Sequence, residues 1–566
     1  MKDTGTMRHS FLLLIASLVA CAGPAGADLR IDTSGVDQES PQYARFRDFV
    51  DAAVAGNPGY AFSATDAATL FAISGKEKYC DLAVATVQQQ VDEANVQIAK
   101  GERPPVAGDS YLESGPMISA LGLTWQVCRA RISDAQRKQW SAYAEQTVWN
   151  IWHPGAASWG GKKFAWTGWS IDNPGNNYYY SFVEATMYWG LASGNPTWLD
   201  LLRDDKLPAL TNYFGKLPGG GSLEGTGYGA AHMRLFAIYR VWRDSTGVDL
   251  AAANSHLDDS IRFWAHATMP TLDRFAPIGD QSRVSIPEIY DYHRRLMLEA
   301  RNLSKDEEAR SIASWWLNAI SVPQMTSGFN FRHDLLAAGS GRTPPSSLVY
   351  VAKGTGHLFA RTSWDKTATW LGFNAGPYVE SHAHQDQGAF TLFSRDWLAV
   401  SENIWSHSGI QQGTEVQNVV RFERNGQTIR QREPSTSTME IRSIDAGTGE
   451  IHASADLGAA YAADSGVRSW KRNVDFVAGR LTVHDRISKG ADSEAIFQVN
   501  VPVKPVIEGR DARAGRLHVK VIKPEDARLS LLEWSSLDSA EFRSGWRLDV
   551  RGSGDEFVVE LSGDAP

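Results

Sequence analysis

The chain has 566 residues, 43% hydrophobic and 21% charged, a composition ordinary for a soluble protein but spread over too many residues for one core. At roughly 100–200 residues per domain, about two to four units are expected. A formal charge of −9 without a basic stripe argues against a nucleic-acid partner. It leaves room for an acidic polysaccharide, because a local cationic groove can coexist with a negative total.

Arg8 and His9 precede the apolar run from Phe11 to Ala20, and small residues follow as far as Ala27. Residues 1–27 therefore read as an export signal, too short for an ordinary spanning helix. Ala25-Gly-Ala27 before Asp28 fits release of a soluble periplasmic or secreted protein, the favoured reading. Leu18-Val-Ala-Cys21 resembles a bacterial lipobox, in which a lipid on Cys21 would tether the protein to the outer membrane. No later stretch is apolar enough to span a bilayer. Cys80 and Cys128 remain; in an oxidising compartment they can pair, but they fit buried thiols equally well, and neither resembles a metal site.

From about residue 40 to 320 the pattern is helix after helix. Ile118, Leu121, Trp125 and Cys128 share one face, as do Tyr180, Val183, Met187 and Leu191. Gly/Pro/Asn punctuation recurs at Asn57-Pro-Gly59, Asn173-Pro-Gly175, Gly194-Asn-Pro196 and Pro218-Gly-Gly-Gly221. Repeated helical hairpins over residues 28–325 predict a solenoid or a closed α/α toroid. Residues 326–346 read as a linker. From 347 to 566 short runs such as Thr369-Trp-Leu-Gly-Phe373 and Phe557-Val-Val-Glu-Leu561 alternate with Gly, Asp, Asn and Ser turns, the pattern of an antiparallel β-sandwich.

Three clusters favour chemistry. In Asn173-Pro-Gly-Asn-Asn-Tyr-Tyr-Tyr180, Asn176 and Asn177 could cap a helix, but consecutive amides followed by three tyrosines exceed what a cap needs, which makes Asn176, Asn177 and Tyr178 candidate ligand contacts. The glycine-rich stretch around Glu224-Gly-Thr-Gly-Tyr228 lets backbone approach a ligand, and a helix carrying His232 and Arg234 follows. A flexible hairpin is the bland alternative. In Ser381-His-Ala-His-Gln-Asp-Gln-Gly388 an extended backbone would point His382, His384 and Asp386 to one side. That side could bind a metal, orient a carboxylate or bond within a sheet. Twenty Trp residues are abundant beside nine Met; Trp169 and others beside Gly, Asn or His are candidate platforms for sugar rings, although core packing accounts for most tryptophans.

With these motifs the chain resembles the heparinase II/III-like superfamily of polysaccharide lyases, which includes alginate lyases. Asn177 and Glu224-Gly-Thr-Gly-Tyr228 look like the family's toroid Asn and catalytic Tyr loop. Pro277-Ile-Gly-Asp280, Arg361-Thr-Ser-Trp-Asp365 and His382-Ala-His-Gln-Asp-Gln-Gly-Ala-Phe390 are similar to three further family motifs, in the family's order. The resemblance implies an α/α toroid followed by an antiparallel β-sandwich, and β-elimination on a uronate polymer. Some relatives bind zinc in the sandwich through a His where this chain has Gln417. Glu402 could serve as an acidic ligand, but Gln is a poor one, so no bound zinc or other cofactor is expected.

Elimination removes the C5 proton of a uronate and expels the C4 oxygen, so charge builds on a group that is already anionic and must be met by donors. Asn177 with His384 or His382 suits that task, assisted by His232 or Arg234. Tyr228 suits base, acid or both if its phenol, with a reference pKa of about 10, is depressed; otherwise a His takes the base role. Asp280 and Asp386 fit orienting roles. No sulfate-binding basic cluster is legible, which favours alginate or polyglucuronate over heparin, hyaluronan or chondroitin-type chains. A glycoside hydrolase using Glu224, Asp280 or Asp386 and a non-catalytic glycan-binding protein are the rival readings.

Overall fold

A computed structural model describes residues 28–281 and 287–563. The export signal, both processing sites and Cys21 lie outside the described residues. Among those described, no helix is long and apolar enough to cross a membrane.

The first half is helical, as the periodicity predicts, and its inner wall is a set of helices running in one direction. Gly115 donates its backbone N–H to Ser181 Oγ (2.8 Å), and a Cβ on Gly122 would stand 2.9 Å from the Tyr188 carbonyl oxygen. Helices Ser114–Val127 and Asn177–Ser193 therefore lie parallel and close, with glycine making the approach possible. Arg234 of helix His232–Thr246 faces Glu184 at 3.8 Å. Further along the same helix, Arg240 pairs with Glu299 (2.6 Å) and Arg243 donates to the Asn302 carbonyl (3.5 Å), so helix Asp291–Leu303 follows the same direction. The starts of all four helices gather at one end of the ring. Inner helices touch neighbours on several sides, which is why Tyr179, Tyr180, Phe182, Val183, Met187, Trp189 and Leu191 are all buried. Cys80 and Cys128 are joined in a disulfide, settling the two alternatives left open by the sequence.

The second half is antiparallel β. Strands Val349–Ala352, His357–Arg361, Thr369–Asn374, Phe390–Ser394 and Asp396–Ala399 form a five-stranded sheet in chain order. Period-two alternation splits its faces. Leu358, Leu371 and Leu392 enter the core shared with an eight-stranded sheet and a second five-stranded sheet. Phe359, Trp370 and Phe393 enter the helical core instead. Phe359 packs on Phe263 with ring centroids 5.3 Å apart, and Arg361 donates to the carbonyls of His266 and Thr268, both at 2.8 Å. The first sheet is thus bonded directly to the helical ring. The loop preceding strand Phe390–Ser394 reaches the same end of the ring where the inner helices begin.

Residues 326–346, read from composition as a linker, are tied to the ring along their first part. Gly328–Leu335 is a 3₁₀ helix tied into the ring, with Asp334 accepting from Arg45 (2.7 Å) and Arg294 (3.1 Å) and Arg332 paired with Asp66 (2.6 Å). The Asp291 carboxylate holds the backbone N–H groups of Thr326 and Ser327. Buried ion pairs of this kind immobilise a segment whatever its glycine and serine content.

Candidate active site

Three loops zip together where the two halves meet. Thr226 donates its N–H to the Ile278 carbonyl (2.8 Å), and Asp280 donates its own to the His382 carbonyl (2.9 Å). A Cβ on Gly227 would stand 2.1 Å from the Asp280 carbonyl, so only glycine lets the Tyr228 loop lie this close. Asp280 from the ring thereby faces the histidines of the β half. Its Oδ2 accepts from His382 Nδ1 (2.8 Å), its Oδ1 from His384 Nε2 (2.9 Å), and Gln412 Nε2 bridges both oxygens at 3.2 and 3.4 Å. Burial alone would raise the Asp280 pKa, but hydrogen bonds from His382, His384 and Gln412 hold it below the usual carboxylate value.

Asp280 also sets how the two imidazoles work. The His382 ring lies flat on Tyr228, centroids 3.5 Å apart and planes 9° from parallel. With Nδ1–H committed to Asp280, His382 Nε2 is the atom left for a ligand. His384 is different: it is buried, and its Nδ1 accepts from Gln417 Nε2 (3.1 Å) and Asn403 Nδ2 (3.4 Å). Both its nitrogens are spent, so of the two histidines His382 reaches the cleft and His384 is a positioning residue. The donor set does not fit zinc here, since Gln417 already donates to the one ring nitrogen a cation could use. Glu402 is fully buried, neither of its oxygens bonds a described residue, and burial drives its pKa well up, which favours a neutral acid. Among the described residues no group of His, Cys, Asp and Glu is arranged to hold a metal.

On the ring side, Asn176 is the helix cap, accepting from the Tyr178 N–H (3.1 Å), and its amide donates to Glu224 Oε1 (3.1 Å). Asn176 and Glu224 are each 1% exposed, so both brace the Tyr228 loop from within, whereas the sequence made Asn176 a candidate ligand contact. Burial and the nearby Glu380 and Asp280 carboxylates push the Glu224 pKa well up, and the Asn177 backbone N–H opposes that shift. Asn177 itself stands at the ring edge and makes no side-chain hydrogen bond to any described residue; its Oδ1 is buried without a partner. Tyr178 is half-buried and its hydroxyl donates to Asp109 Oδ1 (2.9 Å). Asp109, Ser110 and Tyr111 are three successive non-glycine residues with φ of 42°, 52° and 65°. Such a run marks a loop held in place by its surroundings.

One further candidate needs correction. His232 is 1% exposed, boxed by Tyr180, Phe214, Phe236 and His256, and burial holds its imidazole neutral, so it is a core residue and not a substrate contact. Arg234 lies on the inner wall of the ring beside Glu184. Trp169 is 48% exposed on the rim segment before the Asn177 helix, as a platform requires. Sequence reasoning missed Gln412 and Asn403, which orient Asp280 and His384, and Glu380, which receives Asn173 (3.0 Å) and Tyr213 (2.9 Å). Apart from the amide pair Gln411-Gln412, no local signal marks them.

No protein-family model matches the sequence, and a search of curated proteins finds no match. Solved structures do match in fold. Heparinase III is similar with a TM-score of 0.60 at 12% identity, covering 88% of this chain and 75% of that one. Heparan sulfate lyase HepC from Pedobacter heparinus gives 0.54 at 15% identity, with 95% and 85% covered. A chondroitinase AC lyase gives 0.50 at 10%, with 94% and 79% covered. At these identities the likeness is one of architecture: the chain has the fold of the heparinase-like polysaccharide lyases, a helical ring followed by a β domain.

Proposed function

We propose that the protein is a polysaccharide lyase that cleaves a uronate-containing polymer by β-elimination. The observation that carries this reading is the phenol of Tyr228 stacked on His382, whose ring Asp280 holds across the domain boundary. In the proposed reaction the Asn177 amide and the His382 Nε2–H meet the uronate carboxylate. A base takes the C5 proton, the C5–H electron pair forms the C4–C5 double bond, and the C4–O bond breaks toward a leaving oxygen that receives a proton. Tyr228 is the base, the acid, or both when the two transfers lie on one side of the ring; in the other geometry a neutral His382 takes the proton at Nε2 and Asn177 alone meets the carboxylate.

Hydrolysis finds less support. It needs two carboxyl groups across the scissile bond, whereas Glu224 and Asp280 are 1% and 4% exposed. Asp386 is bonded to Asn374 (2.6 Å), with burial pushing its pKa up to about 6. The Cys80–Cys128 disulfide supports an exported, periplasmic or secreted, location.

Alginate and polyglucuronate are the first substrates to try. A glycosaminoglycan is the second reading, favoured by the names of the neighbouring structures and by arginines that the fold brings together inside the ring. Incubation with alginate, glucuronan, hyaluronan, chondroitin and heparan, following the ultraviolet absorbance of the unsaturated uronate and product size, is the deciding experiment. Absorbance rising with shortening chains is expected. Shortening without absorbance, or binding without shortening on every polymer, would overturn the proposal.

A further inference from the structure

A cavity of about 270 Å³ runs along the ring axis between the inner helices, lined among others by Thr69, Glu184, Tyr188, Arg234, Arg295 and Arg332. Most charges in its wall are matched. Arg240 pairs with Glu299 (2.6 Å), Arg332 with Asp66 (2.6 Å), Arg243 with Asp244 (2.9 Å), and Arg234 faces Glu184 (3.8 Å). Among the described residues, Glu184 Oε2 and Asp244 Oδ2 are buried without a hydrogen bond, and Arg295 is the lining arginine without an ion pair. It forms no ion pair or hydrogen bond with any described residue, and its Nε is buried without a partner. Glu299 and Glu184 attract it only through space, so a guanidinium in this semi-enclosed setting gains from an anion that bonds it directly. Burial, with Arg332 and Arg234 nearby and opposed by Glu299 and Glu184, lowers the Arg295 pKa to about 10, so it is still a cation at neutral pH.

We infer that this cavity is an oxyanion site, with Arg295 as its anchor and Arg234 and Arg332 flanking, that takes one sulfate-like group. Guanidinium groups suit tetrahedral oxyanions because their N–H pairs match the oxygen spacing. The ion has two conceivable sources. One is a free inorganic anion that neutralises the interior of the ring. The other is a sulfo group on a bound sugar, and this arm rests on the function proposed above. Arg295 lies one turn in from Asp291, about 6 Å below the ring end at 1.5 Å per residue.

The test uses the mature full chain and inorganic sulfate, measured by titration calorimetry and thermal shift at fixed ionic strength against chloride. Saturable binding at one site is expected, weakened at least tenfold by Arg295→Gln and unchanged by Arg528→Gln on the β domain. Should Arg295→Gln fail to fold, crystals of the unaltered protein soaked in selenate give an independent readout through the anomalous signal. Density against Arg295 supports the site; density elsewhere or none overturns it, as does sulfate binding no stronger than chloride or equal binding by a folded Arg295→Gln. Sulfated and desulfated uronate oligosaccharides of one length then separate the sources. Competition by the sulfated form alone assigns the sulfo group, and competition by neither assigns the free ion. Because binding is read without turnover, the site stands or falls separately from the lyase reaction.

Discussion

Replacing Tyr228 with phenylalanine removes one oxygen and leaves the ring. That ring lies 3.5 Å from the His382 imidazole, and the His382–Asp280 bond does not involve the phenol, so the stack and the orientation of His382 should survive. The loop itself is held by backbone bonds from Thr226 and by Gly227, neither of which the substitution touches. The loss tested is that of proton transfer. A positioned acid or base contributes about 10²- to 10⁴-fold; at 1.36 kcal/mol per tenfold this is roughly 2.7–5.4 kcal/mol of barrier. On whichever polymer the native enzyme cleaves, Tyr228→Phe should lower kcat by that factor with KM nearly unchanged, while calorimetry with the same polymer shows native-like binding. Full turnover by a folded Tyr228→Phe would refute the role. A rise in KM at constant kcat would make the hydroxyl a binding group instead.

Asp280→Asn removes the charge that orients His382 and His384, and should cut kcat by at least about tenfold while shifting the pH profile of kcat/KM; a profile identical to native would contradict the positioning role. Glu224→Gln tests the buried acid. Its folded pKa is raised, so its contribution to stability is present at low pH and is lost as pH rises through the folded value. The amide mimics the protonated form, and thermal unfolding across pH should show a variant whose Tm falls less than the native protein's toward alkaline pH. Reducing the Cys80–Cys128 bond, which spans 48 residues of sequence, should cost about 4 kcal/mol by chain entropy, read as a lower midpoint in denaturant with reductant present.

Much of this organisation is legible before any coordinates. The 3.6-residue spacing of Tyr180, Val183, Met187 and Leu191 forecasts a buried helix face, and all four are buried. The motif around Tyr228 and the pair His382/His384 do converge, from sites more than 150 positions apart. What stays hidden depends on which neighbour a side chain meets. Asn176 and Asn177 are adjacent and chemically identical, yet one caps and braces while the other keeps its side chain free, a difference decided by Glu224 arriving from another loop. His232 looks accessible beside a glycine-rich loop, but Phe214 and His256 close over it. Arg234, Arg295 and Arg332 are scattered through nearly 100 positions, so no basic cluster shows in the sequence even though the ring gathers them around one cavity.

The common direction of the inner helices has an electrostatic corollary. Each helix start carries the equivalent of about half a positive charge, so the four that begin beside Tyr228 and Asn177 present roughly two units of fixed positive potential on a protein whose formal charge is −9. A polyanion repelled by the net charge is drawn toward the end where these four helices begin. Capture should therefore slow as salt is added, most steeply below physiological ionic strength, where the Debye length exceeds about 8 Å.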